Sequence, residues 1–107
     1  MEARFKRPFV QFVKKAHKPL QLVIEDEVLN VCETPELGEA KVGDLSGIRV
    51  HKFRFARQAC LMAYRPPHQD APVAFLVIDF YQVGVHENFY DEMKKYLRHE
   101  KAQGTNA

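Results

Sequence analysis

The stretch GDLSGIRVHKFRF, from Gly43 to Phe55, decides how the chain reads. Its opening residues hold two glycines among polar side chains and spell a loop, and from Val50 the pattern changes to a period of two. His51, Phe53 and Phe55 fall on one side of an extended strand and Val50, Lys52, Arg54 and Ala56 on the other. The aromatic side can therefore face a core while Lys52 and Arg54 stand out from the sheet. Such a half-buried strand needs partners, and the following residues supply them. Ala59 to Tyr64 reads as a second strand after a tight turn near Arg57 and Gln58, and Pro66 to Pro72 as a wider polar turn. Val73 to Val83, rich in β-branched and aromatic residues, reads as the most buried strand and ends at Gly84.

Upstream, Glu36 to Gly47 carries three glycines and is expected to be loop throughout. Before it the period is helical. Phe9, Phe12, Val13 and Ala16 make one apolar face, and Leu20, Val23, Ile24, Val28 and Val31 another, until Pro35 and Gly38 end the pattern. Pro19 sits where a helix can begin, so a two-helix hairpin hinged near Lys18 and Pro19 is predicted, with Glu25, Asp26 and Glu27 on its polar face. A short strand at Ala3 to Phe5 can precede it. Downstream, Glu87 to Glu100 reads as a helix with Phe89, Met93, Tyr96 and Leu97 along one stripe. Residues 1–102 are expected to form one domain and 103–107 a flexible tail.

A chain of 107 residues, 46% hydrophobic and 28% charged, has the profile of one globular domain. At that size it buries somewhat under ~70% of the surface of its unfolded form and needs no disulfides. Cys32 and Cys60 fit no CxxC pattern and lie among apolar neighbours, which reads as buried free thiols in a reducing cytoplasm. No apolar run reaches about 18 residues, so no membrane span is expected. The net charge is only +2, but it alternates along the chain. Met1 to Lys18 carries six Lys/Arg against Glu2, Pro19 to Gly47 carries Lys41 against seven acids, and Ile48 to His68 has five basic residues and no acid. One basic and one acidic face on a small body follow, and a basic stripe attracts polyanions.

Two clusters can carry chemistry. Lys52 and Arg54, two apart on one strand, would share a face and bind a phosphate, Arg by its planar fork and Lys as a point charge. His86 follows Gly84 at the corner after the last strand, and Tyr90 lies four residues on, where a helical turn would set its ring beside the imidazole. An imidazole can take or give a proton near neutrality, and a tyrosine can stack a base or bond a phosphate. The same pair can also be a helix cap and a core residue. His51 shares the aromatic side and reads as a satisfied, partly buried histidine. The histidines show no HxH or HxxxH spacing, so no metal site is expected.

The helical hairpin followed by GDLSGIRVHKFRF, ACLMAYR (Ala59 to Arg65), an apolar strand and VGVHENFYDEMKKYL (Val83 to Leu97) resembles the RelE/ParE superfamily of bacterial type II toxins over nearly the whole chain. Its most specific parts are the loop and basic strand from Leu45 to Arg54, the strand ending in Ala63 and Tyr64, and the glycine-X-histidine corner with Asn88, Phe89 and Tyr90. The resemblance implies an α+β fold with a helical hairpin on a small, twisted, mainly antiparallel sheet and a C-terminal helix. It also implies a toxin that acts in the cytoplasm and is neutralised by a cognate antitoxin in a hetero-oligomer. In the RelE-like branch this toxin would be a ribosome-dependent mRNA endonuclease that inhibits translation, working by 2′-hydroxyl attack with no metal or cofactor. Lys52 and Arg54 match that branch's paired strand cations, and His86 and Tyr90 its acid-base and aromatic positions. Arg49, Arg57 and Arg65 are further RNA-binding candidates. Where many RelE-like members carry an arginine in the next strand, this chain reads Cys60-Leu61. A ParE-like inhibitor of DNA gyrase and a noncatalytic RNA- or protein-binding module are the alternative readings.

Overall fold

The structure is a computed structural model that describes residues 2–67 and 76–104. Its elements run β1 (Glu2–Phe5), α1 (Arg7–Lys15), α2 (Lys18–Glu33), β2 (Glu39–Ala40), a 3₁₀ turn (Gly43–Leu45), β3 (Arg49–Phe55), β4 (Gln58–Arg65), β5 (Val77–Val85) and α3 (Phe89–Gly104). The wide turn read at Pro66 to Pro72 and the first residues of the strand read from Val73 fall largely outside the described residues, as does the end of the tail. The chain is α+β, as expected, with one five-stranded sheet in the order β1-β5-β4-β3-β2. Only β1 against β5 is parallel; the other pairs are antiparallel.

Both hairpin helices start with a proline in the first turn, Pro8 and Pro19, where the missing N–H has no intrahelical acceptor to lose. The Gln21 side chain donates to the Val13 carbonyl at 2.7 Å and ties the end of α1 to the start of α2. Phe9, Ile24 and Val31 of the hairpin pack on Phe53, Cys60, Met62, Tyr64, Ile78, Phe80 and Val83, which form one face of the sheet. The opposite face is also covered. Val50, Leu61, Ala63 and Tyr81 lie under Phe89 and Met93 of α3 and under Leu45 and Ile48 of the preceding loop. Burying a side chain such as Phe89 or Met93 stabilises the fold by about 1.5–3 kcal/mol each.

The structure departs from the sequence reading at several points, the first of them because of this second core. β3 is not half-buried along its whole length, because Val50, on the Lys52 side, is 5% exposed under α3. β4, caught between two helical layers, buries Cys60 through Tyr64 without a break. Glu36 to Gly47 is not loop throughout, since Glu39 and Ala40 pair with Val50 and Arg49 as an edge strand. β5 extends to Val85, and a bulge opposite Ala63 and Tyr64 leaves Tyr81 without a partner in the ladder. The last helix begins at Phe89 rather than Glu87, after Asn88 turns the chain at a φ of 60°, a conformation that asparagine tolerates better than most residues.

Candidate functional site

The site forms on the α3 side of the sheet, at the end from which the chain leaves β5. Lys52, Leu61 and Gly84 lie in one cross-strand row. Arg54, opposite Ala59, lies two residues nearer the corner that carries His86. Lys52 and Arg54 are both exposed and share a face because β3 alternates regularly. Beyond the corner, the first turn of α3 brings the Tyr90 ring edge-on to the His86 imidazole, with centroids 5.9 Å apart. His86 is exposed, and its carbonyl accepts the Phe89 N–H at 3.2 Å. Tyr90 is half-buried, packed edge-on against Phe89 at 5.5 Å and joined to the α3-side core. Tyr90 is thus in part a core residue, with the rest of its side chain left accessible.

A depression between β2, β3 and α3 is lined by Leu37, Glu39, Lys41, Lys52, Leu61 and Tyr90. Lys41 was not singled out by sequence, because it sits in the segment read as loop. Its N–H donates to the Ile48 carbonyl at 2.9 Å, extending the β2–β3 register by one more contact. Its ammonium stands 5.4 Å from the centre of the Tyr90 ring and 2.7 Å from a Glu39 carboxylate oxygen. That carboxylate raises the Lys41 pKa above its ordinary value, against the opposing effect of burial, with Tyr90 adding to the rise. The i, i+2 pairing of Glu39 and Lys41 is the one signal by which a strand at this point could have been found.

The edge strand, which carries Glu39 and leads into Lys41, is moored to the core by Tyr64. This fully buried side chain donates its hydroxyl to the Pro35 carbonyl at 2.6 Å and accepts the Gly38 N–H at 2.8 Å. Burial pushes the Tyr64 phenol above its ordinary pKa. Gly38 must be glycine here, since a Cβ would lie 2.9 Å from the Tyr64 ring, its hydroxyl and the Val50 backbone.

Of the remaining cation candidates, Arg49 and Arg65 are engaged elsewhere, whereas Arg57 lies beside Arg54. Arg49 shares the opposite face of β3 with His51 and Phe53, and its guanidinium donates to the carbonyls of Glu36 and Gly38, so it helps to hold the β2 segment. Arg65 stacks over the Tyr81 ring, 5.6 Å from its centre, and crowds Gly47, where a Cβ would lie 2.6 Å from its Nη1. Arg57 occupies the β3–β4 turn near Arg54, whose guanidinium donates to the Arg57 carbonyl at 3.2 Å. His51 bonds Glu27 of α2 at 2.7 Å, as a satisfied histidine does. Cys60 and Leu61, where the resemblance leads one to expect an arginine, are both buried. Cys32 and Cys60 are free, and burial raises both thiol pKa values. Among the described residues no three His, Cys, Asp or Glu side chains gather as a metal-holding group, and no helix is long and apolar enough to cross a membrane.

Comparison with known proteins agrees with this architecture. The solved structure of the isolated E. coli RelE toxin is similar at a TM-score of 0.57, with 14% identity over 90% of this chain and 97% of that one, a likeness of fold. No curated protein matches the sequence. A family model described as the ParE-like toxin of type II bacterial toxin-antitoxin systems matches residues 4–94, and with most of the domain inside that match the chain belongs to this family of toxins, whose members are paired with an antitoxin.

Proposed function

We propose that this toxin acts in the bacterial cytoplasm by cutting messenger RNA bound to the ribosome. The observation that carries the reading is the gathering of exposed Lys52 and Arg54 with the His86–Tyr90 pair at one end of one sheet face. In the reaction a ribose 2′-hydroxyl attacks the adjacent phosphorus. The 2′-oxygen to phosphorus bond forms, the phosphorus to 5′-oxygen bond breaks, and a 2′,3′-cyclic phosphate and a free 5′-hydroxyl result. The 2′ proton leaves to a base and the departing 5′-oxygen gains one from an acid, and His86 serves one of these transfers. Lys52 and Arg54 offset the charge that develops on the phosphorane, and the Tyr90 ring orients a base or phosphate.

Cleavage of ribosome-bound message, read by primer extension, tests this proposal. His86→Ala should slow cutting by about 10²–10⁴-fold, the usual effect of removing one positioned acid or base, while the exposed position leaves the fold intact. Wild-type cutting by the folded variant removes His86 from the chemical step.

A second reading, inhibition of DNA gyrase, draws support from the buried Leu61, which denies the sheet face a third strand cation, and from the ParE-like description of the family. A gyrase supercoiling assay beside primer extension separates the two. Inhibition with intact message favours the gyrase reading.

A further inference from the structure

We propose that Lys41, Lys52 and the Tyr90 ring form a binding site for an RNA phosphodiester, and that the Glu39 side chain fills this site with its own carboxylate until RNA displaces it. The proposal rests on the reading of this face as one that meets RNA, and adds to it an anion subsite with a built-in competitor.

The sheet register gathers these groups. Glu39 is directly opposite Val50, and Lys41 bonds Ile48 one further pair along, so Glu39 and Lys41 extend the same face as Val50 and Lys52. Glu39 and Lys52 are then diagonal neighbours on adjacent strands, within reach of each other's long side chains. All three line the depression that Tyr90 closes. Charge follows geometry. The Lys41 ammonium, bonded to it at 2.7 Å, holds the Glu39 carboxyl below the usual carboxylate range, and Lys52 pulls in the same direction.

The two partners differ in how firmly they are held. Lys41 has a side chain only 24% exposed, set over the Tyr90 ring, and follows directly on a strand moored by Tyr64 and Arg49. The Glu39 side chain is 77% exposed. Lys41 is thus a positioned cation, whereas Glu39 is free to swing into solvent, and an exposed pair of this kind opens at little cost. A carboxylate and a phosphodiester each present two acceptor oxygens to an ammonium, so one can replace the other without rearranging the site. Lys41 lines the same depression as Leu61, one of the two strand positions at which the expected arginine is lacking.

A short labelled single-stranded RNA, 2′-O-methylated so that it cannot be cut, serves as the probe, with affinity measured by anisotropy across a salt series. Glu39→Gln should tighten binding by roughly 3- to 10-fold with little change in the log–log salt slope, because the same phosphate is neutralised once Glu39 has been displaced. Lys41→Gln, which keeps the stem over Tyr90, should weaken binding by a similar factor and flatten the slope by about 0.7, the loss of one neutralised phosphate. In the Lys41→Gln background the effect of Glu39→Gln should vanish, which distinguishes displacement from general repulsion. Glu36→Gln, the same charge change three residues away, should do far less. If RNA binds and Lys52→Ala weakens it but neither Glu39→Gln nor Lys41→Gln moves affinity or slope, the subsite is refuted while the nuclease reading stands. If the expected coupling appears and ribosome-bound message is never cut, the subsite stands and the nuclease reading falls. RNA binding by neither the wild type nor Glu39→Gln overturns the subsite as well. A Glu39→Gln effect confined to antitoxin affinity does the same and reassigns the depression to a protein partner.

Discussion

Replacing Tyr64 by phenylalanine isolates the tie between the core and the edge strand that carries Glu39 and leads into Lys41. The ring stays, with its tilted packing on Phe80 at 5.9 Å, and only the hydroxyl is lost. The Gly38 N–H, buried and bonded to that hydroxyl at 2.8 Å, is then left without an acceptor, at a cost of about 1–3 kcal/mol. The Pro35 carbonyl is partly exposed and can turn to water, so its loss adds less. A total near 2–3 kcal/mol is expected, which in a chain of this size lowers the melting temperature by about 10–15 °C. That is well within the total stability of about 5–15 kcal/mol, so the variant remains folded. Thermal melts followed by circular dichroism measure the shift, and amide exchange at Lys41, bonded to Ile48, measures whether β2 has loosened. A melting temperature within about 2 °C of wild type, with Lys41 exchange unchanged, would show that the hydroxyl is not the mooring. The same bond predicts a pH dependence. Burial raises the folded-state pKa of Tyr64 above its ordinary value near 10, so its contribution is complete below that pH and is lost as pH rises through the folded-state value. The Tyr64→Phe variant should lack this alkaline component.

Three further expectations follow from local structure. The two-residue β3–β4 turn holds Ala56 at a φ of 49° and Arg57 at 70°, so Ala56→Asn with Arg57→Gly should stabilise the hairpin by about 1–2 kcal/mol, read in urea melts. Leu61→Arg should not restore a strand cation. Its site is sealed under α3, and the buried charge should destabilise the protein more than Leu61→Ala, itself expected to cost about 2–5 kcal/mol; equal melting of the two variants contradicts this. Tyr90→Phe should lose less cutting than Tyr90→Ala, since the ring's contacts with His86 and Lys41 survive loss of the hydroxyl, and equal losses in folded protein would assign the role to the hydroxyl alone.

What local chemistry encodes was legible in the sequence. The change of period at Val50 marks β3 and puts Lys52 and Arg54 on one face, because alternation is a property of the extended backbone itself. A three- and four-residue apolar spacing marks the two hairpin helices, and Pro19 the start of the second, for the same kind of reason. The four-residue spacing from His86 to Tyr90 predicts the contact between their rings, which the structure shows at 5.9 Å although α3 begins only at Phe89.

Tertiary structure decided the rest. Alternation says which residues share a face but not what covers it, so Val50 and Leu61 became core only because α3 folds back over the Lys52 side. β2 has two residues and no apolar pattern; a buried phenol from β4 and an arginine from β3 hold it in place, through the Gly38 N–H and the carbonyls just before it. Lys41 stands beside Tyr90 and Lys52 for that reason alone, since these neighbours are brought to it by the fold of the sheet and not by any spacing along the chain. Arg49 and Arg65, equivalent to Lys52 by charge, are drawn into holding carbonyls and an aromatic ring. Net charge is written in composition, but whether a cation is free to meet a ligand depends on the acceptors that folding sets beside it.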